Sequence, residues 1–411
     1  MKKSSPTPPQ KNGANRIDLR FLRGIQGGIY YIFEVNTMGY CYWSYETLNK
    51  LCRDAFSKFG FDAEEAKIVT DVLLMSDLYG IESHGMQRMY RYYKSIQKGM
   101  IHVENKGRVV FETPVSAVID GEDGMGQIIG HRAMEMAIAK AKTVGIGMVT
   151  VRNSNHYGIA GYYAKMACDA GLIGMSCTNT NPIMVPTYGR TAMLGTNPIA
   201  VAMPAEPYDF FFDAATTVVT RGKLEVYNKE GKALHEGWAL DKDGHPSTDA
   251  ADVLGNISAH QGGGIMPLGG STEATGSHKG YGYAMLCEIF SSILSMGTTS
   301  DRTGLGGKGG ICHGFVAIDP AIFGDAEGIR AHLSAYLQAL RDAPKAEGQD
   351  RIYTHGEKEI AAMENMLKNG IPVNENTMVE VEEMCRYLDM DFSAYFGDYR
   401  PGDTGFKGNF Y

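Results

Sequence analysis

Hydrophobic and polar positions first become periodic at Tyr45, after which Leu48, Leu51, Cys52 and Phe56 fall on one helical face and Gly60 stops the run. Asp62 followed by Glu65 has the spacing of a capping box, so a second helix is expected through Ile68, Val69, Val72 and Leu73 to Gly80. A third helix is expected around Arg88, Tyr92 and Tyr93, and residues 109–120 read as strands. There follow a helix over 130–143, a strand over 148–151, a helix ending at Ala170 and a strand over 173–177. Beyond Asp213 the chain turns polar and loop-like, then recovers a strongly apolar helix over 280–296. From Ile329 the tail reads as amphipathic helices, one of them opened by a second capping box at Thr377 and Glu380. The pattern holds no internal repeat and one Gly-dense stretch, 304–310.

With 411 residues, 44% of them hydrophobic, the chain can bury cores for two or three lobes. Its apolar runs, such as 289–296 and 173–177, fall short of the ~20 residues that cross a bilayer, so no membrane span is expected. A formal charge of −8 argues against a nucleic-acid partner, which needs a basic face to displace phosphate counterions. Seven scattered cysteines, none arranged as CxxC, suit a reducing, cytoplasmic setting and neither a disulfide framework nor a zinc site. Glycine is abundant, 51 residues, so much of the chemistry is expected on loops. Residues 1–40 stand apart: a basic start (Lys2, Lys3, Lys11, Arg16, Arg20, Arg23) precedes an apolar patch over 24–35 that Glu34 breaks. No clear small-residue cleavage site follows, so a disordered leader is expected rather than a signal peptide, with Met38 as the natural beginning.

One tempting motif is set aside. Gly124-Met125-Gly126-Gln127-Ile128-Ile129-Gly130 sits between a predicted strand and a helix, but the third glycine is out of register and no acid closes the next strand, Val151-Arg152-Asn153. A tight strand-to-helix turn is the better reading. Gly307-Lys308-Gly309 lacks the Lys-Ser/Thr of a phosphate loop, and no HExxH or Cys/His cluster suggests a metal.

Five polar segments could carry chemistry. Ser83-His84-Gly85 lies at a helix-to-helix junction with Arg88 four residues after His84, so both could face one pocket if the helix begins at once. Equally, the serine could cap and the other two be solvated. Asn153-Ser154-Asn155-His156-Tyr157-Gly158 places a histidine where an apolar strand ends, a favoured position for active sites and also for ordinary turn chemistry. Leu194-Gly195-Thr196-Asn197-Pro198 and Phe212-Asp213-Ala214-Ala215-Thr216 are small-residue segments able to bring backbone close to a flat ligand, or simply to turn. His278-Lys279-Gly280 opens the apolar helix, where backbone N–H groups and a lysine could hold a phosphate.

In their order and wording these segments resemble the type-2 malate/L-lactate dehydrogenase family, which also includes ureidoglycolate, sulfolactate and diketogulonate oxidoreductases and cyclic-imine reductases. The resemblance runs from about Tyr42 to Arg400. It is carried by Asp77-Leu78-Tyr79-Gly80-Ile81-Glu82-Ser83-His84-Gly85, by 153–158 and 194–198, by Gly237-Trp238-Ala239-Leu240-Asp241, by Pro267-Leu268-Gly269-Gly270 and by His278-Lys279-Gly280-Tyr281-Gly282.

The resemblance implies an α/β (α+β) fold: a non-Rossmann NAD(P)-binding domain with a mainly antiparallel sheet, plus a helical substrate and dimerisation lobe. It divides the chain into a leader (1–40), a helical lobe (41–115), a cofactor-binding lobe (116–320) and a C-terminal helical segment (321–411) that packs back on the first. It further implies a cytoplasmic homodimer that moves a hydride between NAD, or NADP, and a small 2-oxo/2-hydroxy acid.

That reaction needs a cation for the carboxylate and an acid for the developing alkoxide, placed where a nicotinamide can reach the carbonyl. By carry-over His156 and His84 are the catalytic candidates, His156 preferred, with Ser83, His84, Arg88 and Tyr92 holding substrate. Cofactor contacts fall on Thr180, Asp213, Ala214, Ala215, Thr216, His278, Lys279, Thr354, His355, Gly356 and Glu357, and no metal is expected. Arg190 departs from a usual glycine, His355 from a common proline, and the first 40 residues have no counterpart. Within the family, ureidoglycolate dehydrogenase or a cyclic-imino-acid reductase is the alternative, since C=N reduction needs the same hydride. Outside it stands a non-catalytic ligand-binding relative, disfavoured by the presence of both histidines and Arg88.

Overall fold

The computed structural model describes residues 39–402 except 230 and 305–308; the expected leader up to residue 38 and the Gly307-Lys308 pair lie outside the described residues. Strand β1 (Tyr40–Trp43) leads to α1 (Tyr45–Lys58), whose cap Ser44 accepts from the N–H of Thr47. Leu48, Leu51, Cys52 and Phe56 line the buried face of α1, as their spacing predicts. In α2 (Ala63–Leu78) the capping box is complete: Glu65 N–H donates to Asp62, and Asp62 N–H donates back to the Glu65 carboxylate. Such a cap is worth ~1 kcal/mol. After a 3-10 turn, Glu82–His84, α3 runs over Arg88–Gln97.

Residues 109–120 resolve into a hairpin, β2 (Arg108–Glu112) and β3 (Ser116–Asp120), followed by α4 (Gly126–Val144), β4 (Ile146–Ser154), α5 (Ala160–Asp169), β5 (Ile173–Thr178), β6 (Ile199–Met203) and β7 (Phe210–Ala214). The stretch read as a loop contains α6 (Arg221–Lys229), β8 (Ala239–Leu240), β9 (Pro246–Ser247), α7 (Ala250–Ser258) and β10 (Gly264–Ile265). Two-residue strands carry no readable alternation, and α6 has too few apolar positions for a helical period to stand out. The apolar helix is α8 (Ser277–Glu288), continued by a π-helical turn, Ile289–Ile293. Then come β11 (Ile311–Ile318), α9 (Ala326–Asp342), α10 (Glu357–Asn369), β12 (Ile371–Asn374), α11 (Glu375–Tyr387) and α12 (Ser393–Phe396).

The capping box expected at Thr377 and Glu380 is corrected. Asn374 caps α11 by accepting from Asn376 N–H, while Thr377 and Glu380 are buried within the helix. A Thr-x-x-Glu pair recurs at i,i+3 inside helices as readily as at their starts, and here an Asn three residues earlier supplies the cap.

The main sheet runs β2-β3-β4-β11-β5-β6-β7 and is antiparallel at every pairing but β3 with β4, which α4 joins as a parallel crossover. Strand β11, the last of this sheet in sequence, fills the middle between β4 and β5. Ala133, Ala137, Tyr163 and Ala164 pack α4 and α5 onto this sheet. A second core joins α1, α2 and α3 to β12, α11 and α12, so the C-terminal segment packs on the N-terminal helices. A third lies under α6, α7, β8 and β10, centred on Leu224, Val253 and Ile265. Among the described residues no helix is long and apolar enough to cross a membrane.

Candidate functional site

Helix α2 anchors one half of the site. Its buried Asp77 accepts from Met86 N–H at 2.8 Å, and Ser76 Oγ donates to Ile81 O, which together pin the turn carrying Ser83 and His84. A Cβ at Gly85 would lie 1.7 Å from Asp77 Oδ1, so only glycine fits there. Burial pushes the Asp77 carboxyl well above its ordinary range.

The other half is the loop between β4 and α5. Asn155 Nδ2 donates to the carbonyls of Met100, Asp123 and Gly124, fixing the loop against the start of α4. A Cβ at Gly126 would lie 2.3 Å from Asn155 O and 2.5 Å from His156 O. Gly126 of the rejected fingerprint thus serves close packing beneath the histidine loop. Gly158, at φ +84°, similarly faces Val72 of α2, where a Cβ would come within 2.3 Å.

These two halves bring His84 and His156 face to face, with ring centroids 5.5 Å apart and planes 27° from parallel. Ser83 Oγ lies 2.9 Å from His84 Nδ1, and Tyr92 Oη lies 2.8 Å from His156 Nδ1. Gly158 N–H also donates to His156 Nδ1 at 3.3 Å. Helix α3 begins at Arg88 rather than directly after His84, and the Arg88 guanidinium turns back to donate to Ser83 O at 2.5 Å.

Burial, then the charges of Arg88 and Arg91, lowers the His84 imidazole to about 3. Burial again comes first for His156, followed by Arg91, His84, Arg88 and His313, and holds it well below 6.5. Both rings are neutral at physiological pH, yet each keeps an open edge. A third wall comes from the segment the sequence left as loop: a Cβ at Gly222, in the first turn of α6, would lie 3.9 Å from Ser83 Cβ.

Two participants escaped the sequence. Arg91 lies one turn beyond Arg88 on α3, and its i,i+3 spacing was the available signal. His313 is fully buried on β11 between Thr178 Oγ1, 2.8 Å from Nδ1, and Ser154 Oγ, 3.0 Å from Nε2, and it stacks on Tyr157 at 4.3 Å. Burial lowers it to about 3. A single histidine inside the apolar run Ile311-Cys312-His313-Gly314-Phe315 carries no motif to flag it.

The expected cofactor contacts fall into separate groups. Thr180 Oγ1 accepts from Thr196 N–H at 3.0 Å, and Thr216 Oγ1 donates to Thr196 O at 3.0 Å, so Thr180 and Thr216 meet across the 194–198 loop. A Cβ at Gly195 would strike Thr180 Oγ1 at 1.9 Å. Leu268 N–H donates to Thr216 O, and the turn it belongs to packs beneath Gly280, leaving His278 and Lys279 exposed at the uncapped start of α8.

Asp213 Oδ2 accepts from Gly161 N–H at 2.6 Å at the start of α5, and burial raises it to about 6; Ala214 and Ala215 continue from it towards Thr216. Thr354, His355, Gly356 and Glu357 gather elsewhere along β7. There His355 O accepts from Phe211 N–H, and the Glu357 carboxylate accepts from Thr354 and pairs with Arg341 and Arg351. Among the described residues no hydrogen bond, ion pair or ring contact joins this last group to either catalytic candidate. Cavities of about 190 and 440 Å³ open near Arg152, Asn153, Thr298 and Arg302, on the β4 side of the histidine loop and lined by neither His84 nor His156.

Residues 43–382 match the model of a family described as malate/L-lactate dehydrogenase. The chain is 44% identical over 337 residues to the malate dehydrogenase of Pyrococcus horikoshii, covering 82% of this chain and 92% of that one. It is 38% identical to the L-sulfolactate dehydrogenase of Methanocaldococcus jannaschii, over 85% and 98% of the two chains. The crystal structure of the malate dehydrogenase from Entamoeba histolytica superposes with a TM-score of 0.83 at 36% identity, covering 86% of this chain and 99% of that one.

Proposed function

This chain belongs to the malate/L-lactate dehydrogenase family, and on that premise we propose that it oxidises dianionic 2-hydroxy acids such as malate, with NAD as cofactor and His156 as acid/base. It is an oxidoreductase of 2-hydroxy acids working with a nicotinamide cofactor. The observation that carries the finer reading is the stacked pair of neutral histidines with Arg88 and Arg91 both close enough to lower them.

Two arginines beside the histidine pair favour a substrate with two anionic groups over a monocarboxylate, because each carboxylate or sulfonate can take its own charge-assisted contact. Substrate binding then changes the proton chemistry. Anions that neutralise Arg88 and Arg91 remove a cause of the depressed His156 pKa, so the ring becomes a better base as substrate arrives. In the resting ring Gly158 N–H and Tyr92 O–H donate to Nδ1, leaving the ring proton on Nε2. To act as base the ring moves its proton to Nδ1, where it donates to Tyr92 Oη, the one of the two partners that can reverse its role. The Nε2 lone pair then takes the hydroxyl proton of the substrate; in the reverse direction the imidazolium Nε2–H returns that proton to the carbonyl oxygen. His84, fixed by Ser83, packs against His156 and closes the pocket.

The nicotinamide ring supplies the hydride acceptor and donor. The residues fit such a group: Thr180, Ala214, Ala215 and Thr216 form a seam in which Gly195 admits no Cβ, and the exposed start of α8 at His278 and Lys279, which has no side-chain cap, suits a phosphate. Asp213 steadies α5 beside that seam, and Thr354, His355, Gly356 and Glu357 would reach the cofactor from the β7 side. NAD is assigned over NADP, the competitor that the assay includes.

A homodimer is the assembly we assign. The buried side of α8 and its π-turn is small or polar, with Ser277, Gly280, Ala284, Ser291 and Ser292, whereas Tyr283, Leu286, Ile293 and Leu294 are 41–51% exposed. An apolar face turned outward suits burial against a second copy. A cytoplasmic setting is supported by the seven free cysteines.

The test is a steady-state assay of NADH and NADPH oxidation against oxaloacetate, 3-sulfopyruvate, pyruvate, ureide 2-oxo acids and a cyclic imine. The dianionic substrates should exceed pyruvate roughly tenfold or more in kcat/KM, the value of one charged contact. Turnover of the imine alone would overturn the reading.

A further inference from the structure

Glu288, the last residue of α8, is 4% exposed, and its carboxylate is ringed by neutral donors. Asn197 Nδ2 reaches Oε1 at 3.0 Å, and Ser300 Oγ bonds the same oxygen. Ser292 Oγ reaches Oε2 at 2.5 Å and Asn179 Nδ2 reaches it at 3.4 Å. Among the described residues no Lys, Arg or His forms an ion pair with it. A buried carboxylate without a cation is expensive, and an apolar side chain would fill the space at less cost. Its presence there asks for a task that an acceptor performs.

The partners of Glu288 point to that task. Asn197 and Asn179 are fully buried and lie in the segments that carry the Thr180–Thr216 seam. An Asn amide has a donor end and an acceptor end, which are nearly isosteric and exchange by a flip. The Glu288 carboxylate, together with Ala284 O at 3.2 Å, draws the Asn197 NH2 and turns Oδ1 the other way. There Oδ1 accepts from Thr180 N–H at 3.1 Å and from Ser300 Oγ at 3.3 Å. Asn179, directly before Thr180, is held in the same manner: Nδ2 faces Glu288 and Thr298 O, and Oδ1 accepts from Cys312 N–H at 2.8 Å.

We propose that Glu288 is a positioning residue for cofactor binding, which sets the polarity of the Asn197 and Asn179 amides and through them the placement of Thr180 against Thr196 and Thr216. The inference rests on the reading of that seam as the nicotinamide cofactor site. Glu288→Gln keeps the shape but presents an NH2 to one of the two asparagine amides, which loses its acceptor there, so the hold on the Oδ1 atoms that receive Thr180 N–H and Cys312 N–H is weakened. Ser292 supplies the control. It sits one turn along the same helix and touches no residue of the seam, so Ser292→Ala removes a bond to the same carboxylate without disturbing either asparagine.

The experiment titrates NADH into purified full-length wild type, Glu288→Gln and Ser292→Ala, and measures Tm and the KM for oxaloacetate on each. Glu288→Gln should weaken NADH binding roughly tenfold with the oxaloacetate KM within about twofold of wild type, whereas Ser292→Ala should lower Tm and leave NADH affinity in place. If Glu288→Gln does not fold, Asn179→Ser takes its place, with about a threefold loss of NADH affinity expected. A folded Glu288→Gln, or Asn179→Ser in its stead, that binds NADH as wild type does overturns the positioning role alone. Wild type that binds neither NADH nor NADPH overturns the cofactor-site reading and this inference with it.

Discussion

Tyr92 Oη lies 2.8 Å from Nδ1 of His156, joining α3 to the loop after β4 across 64 positions of sequence. The tyrosine is 1% exposed, so its ring is a packing element as well as a polar partner. Tyr92→Phe keeps the packing and removes the reversible partner of Nδ1. A bond of ~1 kcal/mol predicts a five- to tenfold fall in kcat with NADH affinity unchanged. Unchanged turnover in the steady-state assay would remove Tyr92 from the proton path.

Arg91 offers a separate handle on both substrate and proton. Arg91→Ala should raise the KM for oxaloacetate by roughly tenfold or more and that for pyruvate much less, since pyruvate has one anion to place and Arg88 remains. The same change removes the first charge that lowers His156, so the acid limb of the malate oxidation profile should move to higher pH. Equal effects on both substrates would place Arg91 outside the specificity pocket.

Gly85→Ala would drive a methyl group to 1.7 Å from Asp77 Oδ1 and break the contact that seats the Ser83-His84 turn. The turn must shift, and loss of at least ~2 kcal/mol of stability is expected, together with most of the activity. Thermal unfolding and kcat report both; a variant within a degree of wild type and fully active contradicts the account of the turn.

These particulars mark where the sequence was legible. The α1 face, the Asp62–Glu65 box and the Ser83–Arg88 and 153–158 segments could be read because local spacing or wording carries them. The position of β11 between β4 and β5 could not, since pairing across 135 residues or more, as between His313 and Thr178, leaves no local trace, and with it went His313. The small strands were missed for want of length, and α6 for want of apolar positions. Asn374 rather than Thr377 caps α11 because both are cap-forming residue types and the end of β12 at Asn374 fixes where the helix begins.

The buried histidines also give folding a pH dependence. His313 titrates at about 3 in the folded chain against 6.5 when exposed, so between these values the unfolded chain binds one more proton and stability falls as pH drops. The loss is at most about 1.4 kcal/mol per pH unit from this residue. His313→Asn should be less stable at neutral pH and show a shallower loss between pH 6.5 and 4 in urea midpoints. Parallel profiles for variant and wild type would assign the acid sensitivity to other groups.

The central claim is that His156 moves the proton, and His156→Ala tests it most directly. With oxaloacetate and NADH saturating, kcat should fall by ~10² or more while NADH still binds with near wild-type affinity. Turnover within a few fold of wild type would contradict the assignment and pass the role to His84.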